Sequence, residues 1–337
     1  MNSRNYLRVV CLLALALIYP PTQSQSSDSI TIATWNLEWY FDANTRDNSS
    51  DLAKERSAPS FEEWVWRRNA VSAAIAQMAP TVIGLQEIES RKIGYYTTKQ
   101  IKEAHDLNYR AACIQGTDYY TEQDVAFLYQ DGLVEFGRRE QTRQMFASKK
   151  YYNLGKHLIG RFQFENNGAQ EELTIVNVHL RANAESENIR RRQVVLLRAW
   201  FAEQIKNGEN VIVMGDINTE HHFGQVSPES EIGILCGLDT EDTADDLMDL
   251  HQYLPQDEHE TFFIPGKQFD RILVSRAMIE DDPARQDLVF QSIRRHKELV
   301  VRGQGVDEEH WDTYYDIPQT ERDLSDHYPL MAKFQFK

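Results

Sequence analysis

Seven apolar runs of strand length recur along the chain and are separated by polar segments. They lie at 29–40, 81–89, 124–129, 173–180, 210–218, 268–275 and 328–336. Several runs are nearly continuous in Val, Ile and Leu, which is typical of strands that are covered on both faces of a sheet. The pattern therefore predicts a layered α/β protein in which helices pack outside buried sheets.

Two helices are predicted between these strands. In the segment 60–80, Ser60 and Glu63 have the spacing of a capping box, and Pro80 follows the periodic run. A second helix is expected from about Glu187 to Lys206, followed by a terminating glycine. The stretch 277–323 is acidic and poorly periodic, so we expect it to be a surface insertion in one domain that spans residues 28–337.

The N-terminus has the order of a secretory signal peptide. Arg4 and Arg8 precede the apolar run 9–18, which is followed by two prolines and a polar tail. The apolar run is too short to span a bilayer as a mature helix. We expect residues 1–24 to be removed after Ser24, which leaves a secreted or periplasmic monomer without stable membrane insertion.

Acidic residues dominate the charge of the chain. There are 36 basic and 52 acidic residues, a formal charge of −16, and loss of residues 1–24 removes two arginines and makes it −18. This balance opposes tight binding to phosphate polymers that is driven by charge alone. It permits metal-assisted attack on a phosphate, because the cation supplies positive charge locally. The remaining cysteines, Cys113 and Cys236, are expected either to form a disulfide or to be buried as free thiols.

Polar side chains stand at the ends of the predicted strands, where a sheet core needs apolar ones. They are Asn36, Glu87, His179, Asp216, Asn218, Asp270, Asp326 and His327. Because an unpaired buried carboxylate is costly, several of them at strand ends indicate a shared cleft that holds a cation. Amide and carboxylate oxygens without a cysteine pair favour Mg²⁺, Mn²⁺ or Ca²⁺ over a structural zinc.

The order of these motifs resembles the endonuclease/exonuclease/phosphatase superfamily. The series is WNL (35–37), LQE (85–87), NVHL (177–180), GDIN (215–218), FDRIL (269–273) and SDHYP (325–329), and it covers about residues 30–336. The superfamily includes pancreatic-type deoxyribonucleases, abasic-site endonucleases, neutral sphingomyelinases and inositol polyphosphate 5-phosphatases. The resemblance implies a four-layer α/β sandwich, with two mixed β-sheets packed face to face, helices outside and a metal cleft at the strand ends.

The resemblance also implies a set of metal ligands. Asn36, Glu87 and Asp326 match the positions that bind the cation in the family. The expected ion is Mg²⁺, with Mn²⁺ or Ca²⁺ as alternatives. A divalent ion held in this way neutralises the charge that grows on phosphate oxygens during hydrolysis.

The same resemblance implies catalytic roles for five residues. Asp270 orients His327, which contacts the attacking water or the scissile phosphate. Asp216 and Asn218 position the water and a phosphate oxygen, and His179 matches a second histidine that assists the leaving oxygen. Histidine suits such proton transfers because its ordinary pKa is about 6.5.

Further residues near the motifs are candidates for supporting roles. The acid that partners His179 is expected to be either Glu122 or Asp124, close to the run 124–129. Lys156 and Arg181 lie near the motifs and are the candidates for contact with the substrate phosphate. Basic clusters at 138–139, 149–150, 190–192 and 293–297 are typical of a solvated face, although a nucleic-acid backbone also binds such clusters.

The function expected from these observations is an exported, divalent-metal-dependent phosphodiesterase. An endonuclease that hydrolyses DNA or RNA is favoured by the export signal, the paired histidines and the SDHYP motif. A lipid or inositol phosphoesterase, of sphingomyelinase or 5-phosphatase type, is the alternative within the superfamily. A catalytically silent binding homologue is a third, and the intact motifs argue against it.

Overall fold

Twelve strands in two sheets frame the part of the chain that the structure describes. The computed structural model describes residues 28–303 and 313–337, so the expected signal peptide lies outside the described residues. The strands are β1 (Ser29–Tyr40), β2 (Val82–Ile88), β3 (Arg110–Cys113), β4 (Asp124–Tyr129), β5 (Leu133–Gly137), β6 (His157–Asn166), β7 (Ala169–His179), β8 (Asn210–Asp216), β9 (Leu247–Asp249), β10 (Asp270–Ser275), β11 (Leu288–Arg295) and β12 (Leu330–Phe336). The first sheet has the order β11-β12-β1-β2-β4-β3, and the second has the order β5-β6-β7-β8-β10-β9.

Both sheets are mixed, because each contains one parallel pair among antiparallel neighbours. β1 runs parallel to β2 in the first sheet, and β7 runs parallel to β8 in the second. The helices are α1 (Asp51–Arg56), α2 (Phe61–Met78), α3 (Arg91–His105), α4 (Arg143–Ser148), α5 (Glu187–Lys206) and α6 (Glu231–Leu235).

The core is divided into three apolar layers. Between the sheets, Ile32 and Phe127 of the first sheet pack in one cluster with Phe162 and Met214 of the second. The next residue of β1, Ala33, belongs instead to the layer between the first sheet and the helices α2 and α3. Successive residues of a strand point to opposite faces, so the continuous apolar runs serve two layers at once. A third layer joins the second sheet to α5 and α6. This is the predicted four-layer sandwich.

The strands and helices expected from the sequence are confirmed, with ends that shift by a few residues. The Oγ of Ser60 accepts the N–H of Glu63 at 3.2 Å, so the predicted cap of α2 is present. The sequence patterns did not predict α3, β3, β5, β6, β9 or β11. The short strands β3, β5 and β9 contain too few apolar residues to stand out from loops.

The expectation of a surface insertion at 277–323 is wrong for its central part. β11 lies within this stretch and pairs antiparallel with β12 at the edge of the first sheet. The register of the pair shifts between Phe290 and Ser292, which breaks the alternation of buried and exposed residues. An edge strand with such an irregularity has the polar, aperiodic appearance of a loop in the sequence.

The two cysteines do not form a disulfide in the structure. Cys113 lies in the layer between the first sheet and its helices, and Cys236 packs against the layer beside α5. Burial raises the pKa of the Cys236 thiol to about 12. In the ranges 28–303 and 313–337, none of the helices has both the length and the apolar character needed to cross a membrane.

Gly215 is the glycine on which the close approach of β7 and β8 depends. Its φ is +132°, and an added Cβ would lie 2.0 Å from the carbonyl oxygen of Val178. We expect Gly215→Ala to lower the free energy of unfolding by roughly 3 kcal/mol or more, because strain and steric overlap coincide. Thermal unfolding measures the effect, with Gly137→Ala as control, since nothing lies within 4 Å of an added Cβ there. Equal midpoints for the two variants would contradict the expectation.

Candidate active site

Three catalytic candidates stand side by side at one end of the second sheet. Asp216 ends β8, and its register partners are His179 at the end of β7 and Asp270 at the start of β10. Residues that are paired across adjacent strands project from the same face of a sheet. The three side chains therefore gather at one place, although they are far apart in the sequence.

Asn36 of the first sheet links this group to Glu87. Its Nδ2 donates to Glu87 Oε1 at 3.1 Å and to Asp216 Oδ2 at 2.9 Å, so one amide joins carboxylates from both sheets. Its Oδ1 accepts the backbone N–H of Glu38 at 2.9 Å. In this orientation Asn36 bridges the two carboxylates through Nδ2, while its oxygen is engaged by the N–H of Glu38. Its role as a metal ligand remains a prediction.

Glu87 lies at an irregularity of β2. Its φ is +59°, in the left-handed region that non-glycine residues rarely adopt, and the register of the strand shifts between Gln86 and Ile88. Such strain costs about 1–3 kcal/mol and is concentrated at functional sites. The Oε2 atom accepts the N–H of Trp39 at 3.1 Å and a hydrogen bond from the amide of Gln123. These bonds fix the carboxylate.

Glu87, His179 and Asp216 form a group that is able to hold a metal ion. One donor atom from each residue lies within 4.8 Å of the others. His179 Nε2 is 3.7 Å from Glu87 Oε1 and 3.6 Å from Asp216 Oδ2. Burial raises the pKa of Asp216 to about 7, because removal from water disfavours the charged carboxylate. Two hard carboxylates and one imidazole fit Mg²⁺ or Mn²⁺.

His327 and Asp270 form a buried pair. The Nδ1 of His327 lies 2.7 Å from Asp270 Oδ2, and its Nε2 lies 3.8 Å from carboxylate oxygens of both Asp216 and Asp326. Burial alone would lower the pKa of His327, but the carboxylates of Asp270 and Asp326 raise it well above its ordinary value. The imidazole is thus held with Nε2 toward Asp216 and Asp326 and favours the positively charged form.

The loop before β12 explains why Asp326 and His327 are adjacent in the sequence. β12 begins at Leu330, so both residues precede the strand and are free of its alternation. The Oγ of Ser325 donates to the carbonyl of Asn36 at 2.7 Å and accepts the N–H of His327 at 3.1 Å. Asp326 lines the cleft beside His327. Its metal-ligand role remains a prediction.

His179 has the opposite electrostatic tendency to His327. Burial, followed by the charge of Lys156, lowers the pKa of His179 well below its ordinary value, so the neutral form is favoured. Its Nδ1 has no hydrogen-bond partner within the described residues. Asp124 accepts a backbone N–H from Gly116 at 2.6 Å, and the carboxylate of Glu122 accepts N–H groups at the start of α1. Both expected partner acids of His179 are therefore engaged elsewhere.

Asn218 completes the turn after β8. Its φ is +53°, its N–H donates to Asp216 Oδ1 at 2.8 Å, and its Nδ2 donates to the carbonyl of Leu180 at 3.2 Å. These contacts hold the Asp216 carboxylate against the turn. The expected role of Asn218 in positioning the attacking water and a phosphate oxygen remains a prediction.

The two expected phosphate contacts, Lys156 and Arg181, both line the cleft. The Nζ of Lys156 is 3.0 Å from Asp118 Oδ2 and donates to Gln123 Oε1 at 2.6 Å. Since Gln123 also bonds to Glu87, Lys156 is connected to the candidate metal group. Arg181 is exposed at the rim.

Arg67 supports the site and was not identified from the sequence. This fully buried side chain of α2 donates to the carbonyl of Trp39 at 2.9 Å and to that of Leu37 at 2.6 Å. It therefore satisfies the backbone at the end of β1, where Glu38 and Trp39 both have positive φ. The spacing in the sequence does indicate its burial. Arg67 follows Trp64 by three residues and precedes Val71 by four, which places it on the inward face of α2.

The cleft above these groups has a volume of about 1060 Å³. Phe262, Phe263 and Ile264 line one wall, and Tyr120 and Tyr152 also lie along it. The cleft is large enough for a nucleotide-sized ligand, and Glu87 and His179 of the candidate metal group line it.

A model of the endonuclease/exonuclease/phosphatase family matches residues 31–335. The chain belongs to this family. Members of the family are divalent-metal-dependent hydrolases that act on phosphoester bonds, and the fold described above is that of the family. No curated protein matches the chain in a sequence comparison.

Solved structures of the family share this fold at low sequence identity. The human Nocturnin catalytic domain with bound sulfate anion has 16% identity and a TM-score of 0.58, over 92% of this chain and 95% of that one. A D. rerio TDP2 complexed with single-strand DNA product has 16% identity and a TM-score of 0.53, over 92% and 100%. An endonuclease/exonuclease/phosphatase from Bacteroides vulgatus has 15% identity and a TM-score of 0.54, over 92% and 99%.

Proposed function

We propose that the protein is a divalent-metal-dependent phosphodiesterase that hydrolyses nucleic acid and acts as an endonuclease. The observation that carries the proposal is the meeting of two groups in one cleft. The Glu87–His179–Asp216 group offers ligands to a cation, and the His327–Asp270 pair lies against this group, with His327 Nε2 at 3.8 Å from Asp216 Oδ2. A catalytically silent homologue would have no need for this arrangement.

In this proposal, one set of residues binds a cation and another contacts the phosphate. When bound, a divalent cation supplies positive charge for the phosphate and leaving oxygens. Glu87 and Asp216 would hold it, with His179 beside them. Asp270 keeps His327 oriented and charged, so His327 Nε2 donates a hydrogen bond to a phosphate oxygen. Asn36 keeps the two carboxylates together from the opposite sheet.

Nucleic acid is the proposed substrate class. A D. rerio TDP2 with the same fold is complexed with a single-strand DNA product. Two exposed tyrosines, Tyr120 and Tyr152, line the cleft of the present protein and are suited to stacking against bases. A lipid substrate remains the alternative for testing, because one wall of the cleft is apolar.

The experiment is a comparison of four substrates with Mg²⁺ and with Mn²⁺. Double-stranded DNA, RNA, sphingomyelin and a phosphoinositide are offered side by side to the purified protein, and product formation is followed. Preferred hydrolysis of nucleic acid is the expected result. Turnover of sphingomyelin or the phosphoinositide alone would replace the proposed substrate class, and no turnover of any substrate would overturn the phosphodiesterase proposal.

We also propose that the protein is exported. The support is the order of charged, apolar and polar segments in residues 1–24. Mass spectrometry of protein recovered outside the cytoplasm should find a chain that begins after about Ser24. An intact Met1 on that material would contradict the proposal.

A further inference from the structure

The connection from β5 to β6 has the opposite charge to the rest of the protein. We call residues 138–156 the basic connection, and it has one acid, Glu140, against six basic residues. The basic residues are Arg138, Arg139, Arg143, Lys149, Lys150 and Lys156. Its net charge is thus +5, in a chain whose formal charge is −16. A local excess of positive charge in an acidic protein creates a field that attracts anions to that place.

Most of this positive charge is not neutralised by neighbouring acids. Arg138 pairs with Glu140, and Lys156 pairs with Asp118. The other four cations have no carboxylate partner within the described residues. Lys149 and Lys150 are exposed and follow α4 directly. These two ammonium groups are available to an anionic ligand.

The cluster at 190–192 in α5 contributes one arginine to this region. Arg190 is buried and pairs with Glu231 at 2.7 Å, and Arg191 pairs with Glu187. Arg192 turns instead toward the basic connection, where its guanidinium lies 5.3 Å from the centre of the Tyr152 ring. Of the three arginines, Arg192 is the one that contacts Tyr152, which lines the cleft.

Tyr152 is held at the cleft edge by two backbone contacts. Its N–H donates to the carbonyl of Arg192 at 3.2 Å, and the Nη2 of Arg192 donates to the carbonyl of Tyr151 at 2.9 Å. The Tyr152 residue remains 39% exposed and lines the cleft together with Lys156. An aromatic ring that is fixed, exposed and close to a cation is suited to stacking against a base.

The connection is anchored at its base, so its exposed groups are pre-positioned. His157 Nε2 accepts the N–H of Arg139 at 3.0 Å, and its Nδ1 lies 3.1 Å from the carbonyl of Leu154. The guanidinium of Arg139 donates to the carbonyl of Trp200 in α5 at 2.8 Å. A surface that is already ordered loses less entropy when it binds a ligand.

We propose that Tyr152, Arg192, Lys149 and Lys150 form a stacking platform that binds an unpaired nucleotide next to the scissile phosphate. The proposal rests on the phosphodiesterase function proposed above and specifies its substrate as single-stranded nucleic acid. Tyr152 stacks on a base, and the two lysines contact the following phosphates. A base inside a duplex is already stacked on both faces, so the platform discriminates against paired strands.

Binding is tested first, in excess EDTA so that a cation cannot support cleavage. A fluorescent single-stranded oligonucleotide of about 12 nucleotides is titrated, and anisotropy reports the Kd. Tyr152→Ala is expected to raise the Kd about 5- to 100-fold, the range for loss of one base–aromatic stack, whereas Tyr152→Phe keeps the ring and stays near wild type. An unchanged Kd for Tyr152→Ala would overturn the role of the ring.

The lysines are tested by charge reversal. Lys149→Glu with Lys150→Glu should weaken binding and reduce the slope of log K against log salt concentration by about 1.4, the value for two lost phosphate contacts. The matched control is Lys99→Glu with Lys102→Glu on α3, which makes the same change of charge at exposed positions. If the two double variants change the Kd and the salt slope equally, the loss of binding is a general effect of net charge, and the proposed platform is overturned.

Hydrolysis separates failure of the platform from failure of the proposed function. With Mg²⁺ present, Tyr152→Ala should lose more kcat/KM on the oligonucleotide than on bis(p-nitrophenyl) phosphate, which has no base to stack. If the wild-type protein hydrolyses diesters but binds a duplex and the single strand with equal Kd, the platform is overturned and the proposed function is not. Absence of all diester hydrolysis would overturn the proposed function, and the binding measurements would still decide the platform.

Discussion

Replacing His327 with alanine is expected to lower kcat/KM for an oligonucleotide by about 10³- to 10⁴-fold. The structure places its Nε2 toward Asp216 and Asp326 and holds its Nδ1 against Asp270 at 2.7 Å. The variant loses both a positioned donor and a positive charge beside the phosphate. Steady-state kinetics at neutral pH measures the loss, which corresponds to transition-state stabilisation.

Two companion variants make this result interpretable. Asp270→Asn keeps the shape of the pair but removes the charge that maintains the imidazolium, so its rate should fall and its pH profile should shift toward lower pH. His105→Ala is the control, since His105 is exposed at the end of α3 and should keep full activity. A His327→Ala variant within tenfold of wild type would contradict a role for His327 at the reacting phosphate.

His179 is expected to behave differently from His327. Burial favours its neutral form in the free protein, and a bound phosphodiester anion would raise the pKa of His179 and so increase the fraction that carries a proton to donate. If His179 assists the leaving oxygen, His179→Ala should lose less activity on a nitrophenyl diester than on DNA, because nitrophenolate hardly needs protonation. An equal loss on both substrates, with weaker metal binding, would assign His179 to the metal group.

The second large effect is expected from Glu87→Gln. The change removes one negative charge from the Glu87–His179–Asp216 group and leaves a side chain of the same size. We expect the concentration of Mg²⁺ that gives half-maximal activity to rise at least about 100-fold, because a hard cation depends on anionic oxygen ligands. A titration of activity against Mg²⁺ measures the change.

The control for Glu87→Gln is the same substitution at an acid outside the group. Glu185 is exposed beside the start of α5, so Glu185→Gln alters the net charge equally without touching the site. Its Mg²⁺ response should match that of wild type. If both variants respond alike, the metal is not held by Glu87.

The four-layer fold followed from the sequence and is confirmed, and the candidate site residues were easier to select than several of the strands around them. Asn36, Glu87 and Asp216 were conspicuous because polar residues interrupt apolar strands, and the structure brings them within hydrogen-bond distance. The pairing of His327 with Asp270 followed from the family resemblance and is present. By contrast, β5 and β11 were missed, since both are edge strands, which have mixed composition and are defined by the partner strand rather than by the local pattern.

Other features depend on distances that no local pattern contains. Whether His179 faces Glu122, Asp124 or Glu87 is fixed by the packing of one sheet against the other. The burial of Arg67 follows from the positive φ values at the end of β1, which leave carbonyl groups in need of a donor. The contact of Arg192 with Tyr152 likewise depends on how α5 lies against the basic connection.

The central claim is that a divalent cation in this cleft supports phosphodiester hydrolysis. The most direct test strips the purified protein of metal with a chelator and follows hydrolysis of a single-stranded oligonucleotide while Mg²⁺ is added back. The account predicts no cleavage in excess chelator and recovery of full activity as Mg²⁺ saturates the site. Full turnover in excess chelator would contradict it.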